Sequence, residues 1–248
     1  MMPEQKTALV TGGMGGLGEA IARAFHDAGI RVLVTHARDE GPAKEWLAAE
    51  RDKGYGFTSY DVNVADFKSC QRMAERLHAD GHQVDILVNN AGVTRDATLG
   101  KLDKENWDAV LRVNLDSVFN VTKHLIDGMT DRGWGRIINI ASINGIKGQF
   151  GQTNYSAAKA GMHGFTKALA QEVAKKGVTV NTVSPGYLAT TMVTVVPEDT
   201  LARIVAGIPV GRLGQPDEIA ALVAFIASDA AAFMTGSNIS MNGGQHMY

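Results

Sequence analysis

The stretch TGGMGGLG at residues 11–18 joins a short apolar run at 8–10 to an amphipathic helical pattern. Glycine lets a chain turn sharply and approach a phosphate without a Cβ clash. The helix that follows offers free N–H groups and a partial positive charge to such an anion. A lone Gly-rich turn also fits a tight connection, but its place in the first strand–helix unit favours a dinucleotide site. The predicted contacts are Gly12, Gly13, Met14, Gly15, Gly16, Leu17 and Gly18.

Short apolar runs alternate with longer helical patterns along the rest of the chain. The further predicted strands lie near 31–35, 56–62, 85–90, 136–142, 179–184 and 239–242, and the helices near 43–51, 66–80, 104–129, 154–175 and 217–227. Strands that are apolar on both faces are typical of buried parallel sheets. The pattern predicts an α/β fold, a Rossmann-type doubly wound parallel sheet of about seven strands with helices on both faces. We expect one domain over 1–248, with a small substrate lid at about 188–215.

The composition excludes several classes of protein. The formal net charge is −2, so nothing indicates a nucleic-acid surface. Cys70 is the only cysteine, which favours a reducing compartment. Residues 1–7 lack the features of a signal peptide, and no apolar run approaches the ~20 residues of a membrane span. No His-Glu-x-x-His pattern is present, so we expect no metal site. From the preceding features we expect no membrane association and a cytoplasmic protein.

Cofactor choice is predicted from the end of the second strand, which reads Thr35-His36-Ala37-Arg38. A carboxylate there would accept hydrogen bonds from the adenosine-ribose 2′-hydroxyl and repel a 2′-phosphate. The strand end carries no acid, and Arg38 could pair with the phosphate, which favours NADPH. Asp39 and Glu40 follow at once, so NADH remains possible. At the end of the fourth strand, small and amide side chains predict contact with adenosine from Asn90, Ala91 and Gly92.

Three side chains predict carbonyl chemistry. Tyr155 and Lys159 stand four residues apart on one predicted helix, which places them on the same face. We expect the ammonium of Lys159 to lower the tyrosine pKa, so that Tyr155 can donate a proton near neutral pH. Ser142 ends the fifth strand, and its hydroxyl could hold a carbonyl oxygen for hydride attack.

These motifs, in this order and over nearly the whole chain, resemble the short-chain dehydrogenase/reductase family. The resemblance adds Asn63-Val64 in the usual Asp-Val slot, Asn114, and Pro185-Gly186. It implies a catalytic tetrad of Asn114, Ser142, Tyr155 and Lys159. In that tetrad Lys159 also holds the nicotinamide ribose, Asn114 supports a water chain to Lys159, and Pro185 and Gly186 border the nicotinamide.

Four segments are similar to the branch of that family that reduces acetoacetyl-CoA for polyhydroxybutyrate synthesis. They are residues 89–96, 128–135, 147–156 and 242–247, and the block GQFGQ at 148–152 is the most specific. The resemblance implies an acyl-CoA substrate and a homotetramer. The implied substrate contacts are Gln149, Phe150, Gln152 and Tyr187 in the acyl pocket, with Asp96 and Lys101 near the mouth used by the pantetheine arm.

Two alternatives remain open. A 3-oxoacyl-[acyl-carrier-protein] reductase would share the fold and the tetrad but would need a basic surface for an acidic carrier. Arg95, Lys101 and Arg132 are too few to decide this from sequence. A catalytically silent nucleotide-binding regulator is the second alternative, and the intact set of Ser142, Tyr155 and Lys159 argues against it.

Overall fold

A computed structural model describes residues 5–37, 40–190 and 197–247. Its seven strands form one sheet in the order β3-β2-β1-β4-β5-β6-β7, and every neighbouring pair is parallel. The predicted doubly wound α/β sheet is therefore confirmed. The strands are β1 (Thr7–Val10), β2 (Arg31–His36), β3 (Phe57–Asp61), β4 (Ile86–Asn89), β5 (Gly135–Ile140), β6 (Val178–Pro185) and β7 (Asn238–Met241).

Helices follow the strands and cover both faces of the sheet. They are α1 (Gly16–Asp27), α2 (Glu40–Asp52), α3 (Phe67–Ala79), α4 (Lys104–Leu111), α5 (Ser117–Asp131), the short α6 (Asn144–Lys147), α7 (Thr153–Val173), α8 (Glu198–Ala206) and α9 (Pro216–Ala227). The sequence pattern did not predict α6 or α8. The single helix predicted over 104–129 is interrupted by one wide π-type turn at Arg112–Asp116. None of the described helices is both long and apolar enough to cross a bilayer.

Alternate side chains of each central strand enter opposite cores. In β1, Ala8 and Val10 pack with α1 and α9 on one face, while Leu9 packs with α3, α5 and α7 on the other. Because successive strand residues point to opposite sides, a strand covered on both faces must be apolar throughout. The continuous apolar runs in the sequence therefore predicted the central strands correctly.

A row of buried polar side chains crosses the sheet where β4, β5 and β6 lie side by side. Asn89 donates to Thr122 Oγ1 at 3.2 Å and to Asn139 Oδ1 at 2.8 Å. Asn139 in turn donates to Thr166 Oγ1 at 2.8 Å, and Thr166 shares a 2.7 Å hydrogen bond with Thr182. Since Thr166 belongs to α7, this row fixes that helix to the sheet, and unpaired buried amides would make any displacement costly.

The two ends of the segment predicted as a lid are hydrogen bonded to each other. Leu188 and Gly214 form an isolated bridge, in which Ala189 N–H donates to Gly214 O at 2.8 Å and Gly214 N–H donates to Tyr187 O at 3.0 Å. Helix α8 lies between these two points in the chain. Residues 191–196 lie outside the described residues, so the lid stays a prediction.

Candidate active site

A cleft of about 680 Å³ opens at the carboxyl ends of the parallel strands, where binding sites of such sheets form. It brings together most of the residues predicted from the sequence. Those on its walls are Gly12, Met14, Gly15, Gly16, Leu17, Asn90, Ala91, Gly92, Ser142, Gln152, Tyr155, Lys159, Pro185, Gly186 and Tyr187.

The Gly-rich turn forms one wall and is fixed by side chains of the neighbouring strand ends. Thr35 Oγ1 accepts the Gly12 N–H at 3.2 Å, and Asn90 Nδ2 donates to Gly12 O at 3.2 Å. Gly12 and Gly16 have φ angles of +62° and +53°, which favour glycine. A Cβ at Gly15 would meet nothing within 4 Å, so this part of the turn lies open to the cleft. The cradle fits a dinucleotide phosphate at the N-terminus of α1.

Two glycines of the motif have a packing function instead of a place on the cleft wall. A Cβ at Gly13 would lie 2.6 Å from Val34 Cγ1 of β2. A Cβ at Gly18 would lie 2.3 Å from Gly12 O and 2.7 Å from Asn90 Nδ2. The absence of these side chains lets the turn pack against the sheet, so their contribution to a cofactor site is indirect.

Gly18→Ala is expected to lower the free energy of unfolding by about 1–3 kcal/mol and to weaken dinucleotide binding. Alanine has the higher helix propensity by up to about 1 kcal/mol, but the new methyl group collides with fixed backbone. The loss can be measured by urea denaturation and by titration with a reduced dinucleotide.

Gly15→Ala is the matched control for stability. Its φ of 169° is extended backbone, and its Cβ would enter open space. We expect its free energy of unfolding to stay within about 0.5 kcal/mol of the parent chain. Equal destabilisation by both substitutions would show that close packing at Gly18 is not the cause.

Two other predicted cofactor residues, Asn63 and Val64, are not on the wall of the cleft. Val64 is buried, and its carbonyl accepts from Asn120 Nδ2 at 3.0 Å. Asn63 Oδ1 accepts the Ala65 N–H at 3.1 Å, which closes the turn after β3. The structure thus places both residues in local packing rather than at the cleft. Arg38 lies outside the described residues, so its predicted role is untested.

Tyr155 and Lys159 lie on the first two turns of α7 and face the cleft together, as predicted. The Lys159 Nζ atom is 5.5 Å from the centroid of the Tyr155 ring and donates to Ile140 O at 2.7 Å. Ser142 follows β5, and its hydroxyl lies beside that of Tyr155, where it lowers the tyrosine pKa. The Ser142 hydroxyl also accepts the Asn144 N–H at 3.1 Å. A serine, a phenol and an amine thus meet at one point of the cleft.

The pKa values in this cluster correct one expectation. Burial raises the pKa of Tyr155 to about 12, and the hydrogen bond from Ser142 only partly opposes this rise. Burial lowers the pKa of Lys159 to about 7. An amine with that pKa carries only part of its charge near neutral pH, so in the protein alone it does not bring the tyrosine pKa down to neutral as the sequence predicted. Desolvation outweighs the expected attraction between charges.

Asn114 lies in the π-type turn between α4 and α5 and is fully buried. Its Nδ2 donates to Val110 O at 2.9 Å and to Val93 O at 2.8 Å, whereas its Oδ1 has no hydrogen-bond partner among the described residues. A Cβ added at Gly92 would lie 2.7 Å from that Oδ1 and 3.7 Å from Lys159 Nζ. The two polar atoms therefore flank one small space, and π-type turns are common where a function requires such placement.

The predicted substrate residues fall into two groups. Gln152 and Tyr187 line the cleft, and Gln152 Nε2 donates to Asp96 Oδ2 at 2.7 Å. Phe150, in contrast, is 86% exposed, and Gln149 Oε1 accepts from Lys147 outside the cleft wall. Lys101 is exposed as well. The structure does not bring these last three residues to the cleft, and their substrate roles stay predictions.

Trp46 and Asn144 are among the residues of the cleft wall that sequence reasoning missed. Trp46 stacks on Phe57 at 5.5 Å between ring centroids and also borders the cleft, and its Nε1 donates to Glu19 Oε2 at 2.8 Å. Asn144, two residues after Ser142, drew no attention because a polar residue after a strand reads as a turn. Its buried side chain reaches the cleft between Gln152 and Tyr187.

Comparisons with known proteins agree with this geometry. Residues 12–246 match the model of the enoyl-(acyl carrier protein) reductase family. The chain is 54% identical over 98% of its length to the acetoacetyl-CoA reductase of Cupriavidus necator, covering 99% of that protein. It is 52% identical to nodulation protein G of Azospirillum brasilense, over 97% of this chain and 98% of that one. It is 44% identical to the 3-oxoacyl-[acyl-carrier-protein] reductase of Escherichia coli K12, over 98% of both chains.

Proposed function

Because the chain belongs to the short-chain dehydrogenase/reductase family, an oxidoreductase family that binds a nicotinamide cofactor, we propose that it reduces acetoacetyl-CoA to (R)-3-hydroxybutyryl-CoA. The observation that carries the proposal is the meeting of Ser142, Tyr155 and Lys159 beside the Gly-rich cradle in one cleft. The 54% identity with a named acetoacetyl-CoA reductase over nearly the whole chain supports the choice of substrate. Its product would feed polyhydroxybutyrate synthesis.

We propose NADPH as the preferred cofactor. Thr35, His36 and Ala37 border the cleft at the end of β2, so the strand end presents no carboxylate to repel a 2′-phosphate. Arg38 follows directly and could pair with that phosphate. The role of Arg38 is argued from the sequence alone, because Arg38 lies outside the described residues. NADH is the alternative hydride donor.

The bound nicotinamide would supply the hydride for the carbonyl carbon. Ser142 holds the carbonyl oxygen by a hydrogen bond, and Tyr155 donates the proton that the oxygen needs as charge develops on it. Lys159 would hold the nicotinamide ribose, and the space it shares with Asn114 would give a route for proton resupply. Pro185 and Gly186, which line the same cleft, would border the nicotinamide.

The direction of the tyrosine shift suits reduction. A pKa of about 12 keeps the Tyr155 phenol protonated at neutral pH, which is the form that a proton donor requires.

The carrier of the acyl group is the main point on which the second candidate differs. A 3-oxoacyl-[acyl-carrier-protein] reductase is favoured by the 44% identity with the Escherichia coli protein. However, Arg132 donates to Val84 O and Asp85 at the amino end of β4, opposite the cleft. Its position there leaves only Arg95 and Lys101 of the three cations considered for carrier docking, which weakens this alternative.

Steady-state kinetics on acetoacetyl-CoA and on acetoacetyl-acyl-carrier protein, each with NADPH and with NADH, test the proposal. We expect the highest kcat/KM for acetoacetyl-CoA with NADPH. A higher value for the carrier-protein substrate would favour the second candidate. Dinucleotide binding without turnover on either substrate would favour the regulator.

The assembly and location remain proposals. We propose a cytoplasmic homotetramer of single-domain subunits, with α4, α5 and α7 in one interface and residues 188–215 as a lid. Phe119 of α5 is 51% exposed and stacks on the exposed Phe67 at 5.9 Å, which gives that face an apolar surface. Analytical ultracentrifugation would measure the assembly, and a stable monomer would contradict it.

A further inference from the structure

A chain of hydrogen bonds runs along the substrate end of the cleft from Asp96 through Gln152 to Asn144. Gln152 Nε2 donates to Asp96 Oδ2 at 2.7 Å, and Asn144 Nδ2 donates to Gln152 Oε1 at 2.9 Å. Asn144 is only 6% exposed, and the cleft wall carries Gln152, Asn144 and Tyr187 together. Neither the predicted site nor the comparisons assign Asn144 a role.

The direction of this chain is imposed by its charged end. An ionised carboxylate can only accept hydrogen bonds, so Gln152 must turn its amide nitrogen to Asp96. Gln152 then presents its oxygen to Asn144, which must answer with its own amide nitrogen. Neither amide can rotate by half a turn without placing two acceptors or two donors face to face.

The imposed direction has a visible cost at Asn144. Its Oδ1 is buried and has no hydrogen-bond partner among the described residues. An unpaired buried acceptor is unfavourable, so the orientation of the amide must be set by the neighbouring groups that need its nitrogen as a hydrogen-bond donor. The Tyr187 hydroxyl lies beside the same amide on the cleft wall, where the Asn144 nitrogen can donate to it.

The contact between Asn144 and Tyr187 leaves the Tyr187 hydroxyl able to donate one hydrogen bond. Burial raises the pKa of Tyr187, so the phenol keeps its proton at neutral pH. A hydrogen bond from Asn144 would fill an acceptor position on that oxygen and leave the O–H group to donate. Tyr187 and Tyr155 line the same cleft, and a charge on Tyr187 would raise the pKa of Tyr155.

We propose that Asn144 is a positioning residue that reserves the Tyr187 hydroxyl as a donor to the second carbonyl oxygen of a 3-oxoacyl thioester. Ser142 and Tyr155 hold the carbonyl that is reduced, and Tyr187 holds the thioester carbonyl two carbons away. Asn144 acts through Tyr187 and does not touch the substrate's reacting atoms. This inference rests on the proposed function, because it assigns the two carbonyl groups of that substrate to separate donors.

Two substrates isolate the contact. One is the S-ethyl thioester of acetoacetate, and the other is the thioether ketone in which a methylene replaces the thioester carbonyl. We expect Asn144→Leu and Tyr187→Phe each to lower kcat/KM for the thioester about tenfold more than for the thioether ketone. The double variant should lose no more than either single variant, because both remove the same hydrogen bond.

The outcomes separate this inference from the proposed function. Equal losses on both substrates, or losses that multiply in the double variant, would overturn the role of Asn144. Parent-enzyme turnover of the thioether ketone without turnover of acetoacetyl thioesters would instead overturn the proposed function. Turnover of the thioether ketone by each variant shows that it is folded. If Asn144→Leu does not fold, Asn144→Ala and Tyr187→Phe carry the same comparison.

Discussion

Tyr155→Phe is expected to lower kcat by about 10³-fold and to leave binding of the reduced dinucleotide nearly unchanged. The phenylalanine ring keeps the packing of the first turn of α7, and the only lost group is the hydroxyl that lies beside Ser142. Without it, the oxygen of the substrate gains charge with no proton donor beside it. Single-turnover kinetics with NADPH and acetoacetyl-CoA measure the loss, and a fluorescence titration measures the binding.

Tyr55→Phe provides the control for this experiment. Tyr55 stacks on Phe57 at 5.8 Å near the far end of the sheet and is not part of the cleft wall, so its turnover should match that of the parent chain. If Tyr155→Phe kept more than about a tenth of the parent kcat, the phenol would not be the main proton donor. If the parent chain bound NADPH but turned over neither thioester, the silent regulator would replace the reductase.

The fold could be predicted from the sequence because its signals are local. Mainly apolar runs such as 32–34 and 137–141 are buried on both faces, and the glycines at 12 and 16 adopt the positive φ angles that such a turn requires. The breaks in regularity were harder to foresee. The wide turn around Asn114 interrupts a helix whose sequence pattern is continuous, and only the packing of its side chain against Val93 O and Gly92 shows why.

The candidate site was predictable in its membership but not in its electrostatics. The spacing of Tyr155 and Lys159 places them on one helix face, and the structure agrees. The sequence could not show that the same cleft desolvates both groups, which moves their pKa values in opposite directions. The orientation of Asn144 was likewise invisible, because it depends on a carboxylate 48 residues earlier in the chain, at Asp96. Such long-range relations require the folded arrangement.

Lys159→Met is expected to stabilise the protein while lowering kcat/KM by at least about 100-fold. Lys159 is 3% exposed, and burial lowers its pKa to about 7. Removing the amine abolishes the cost of desolvating its charge, but it also leaves Ile140 O without the 2.7 Å hydrogen bond. Because the first effect is larger than the ~1 kcal/mol of a typical hydrogen bond, we expect a net gain of about 2 kcal/mol at pH 6.

The pH dependence of that gain tests its cause. An unfolded lysine titrates near pH ~10.4, so between about pH 7 and that value the unfolded parent chain binds more protons than the folded one. This group therefore makes the parent more stable as pH rises through that window, and the advantage of Lys159→Met must shrink from its full size below pH 7 towards zero or below near pH ~10. Lys167→Met, at an exposed position on the same helix, should change stability by less than about 0.5 kcal/mol. An advantage of Lys159→Met that stayed constant from pH 6 to pH 10 would show that packing, and not the buried charge, limits the stability of this site.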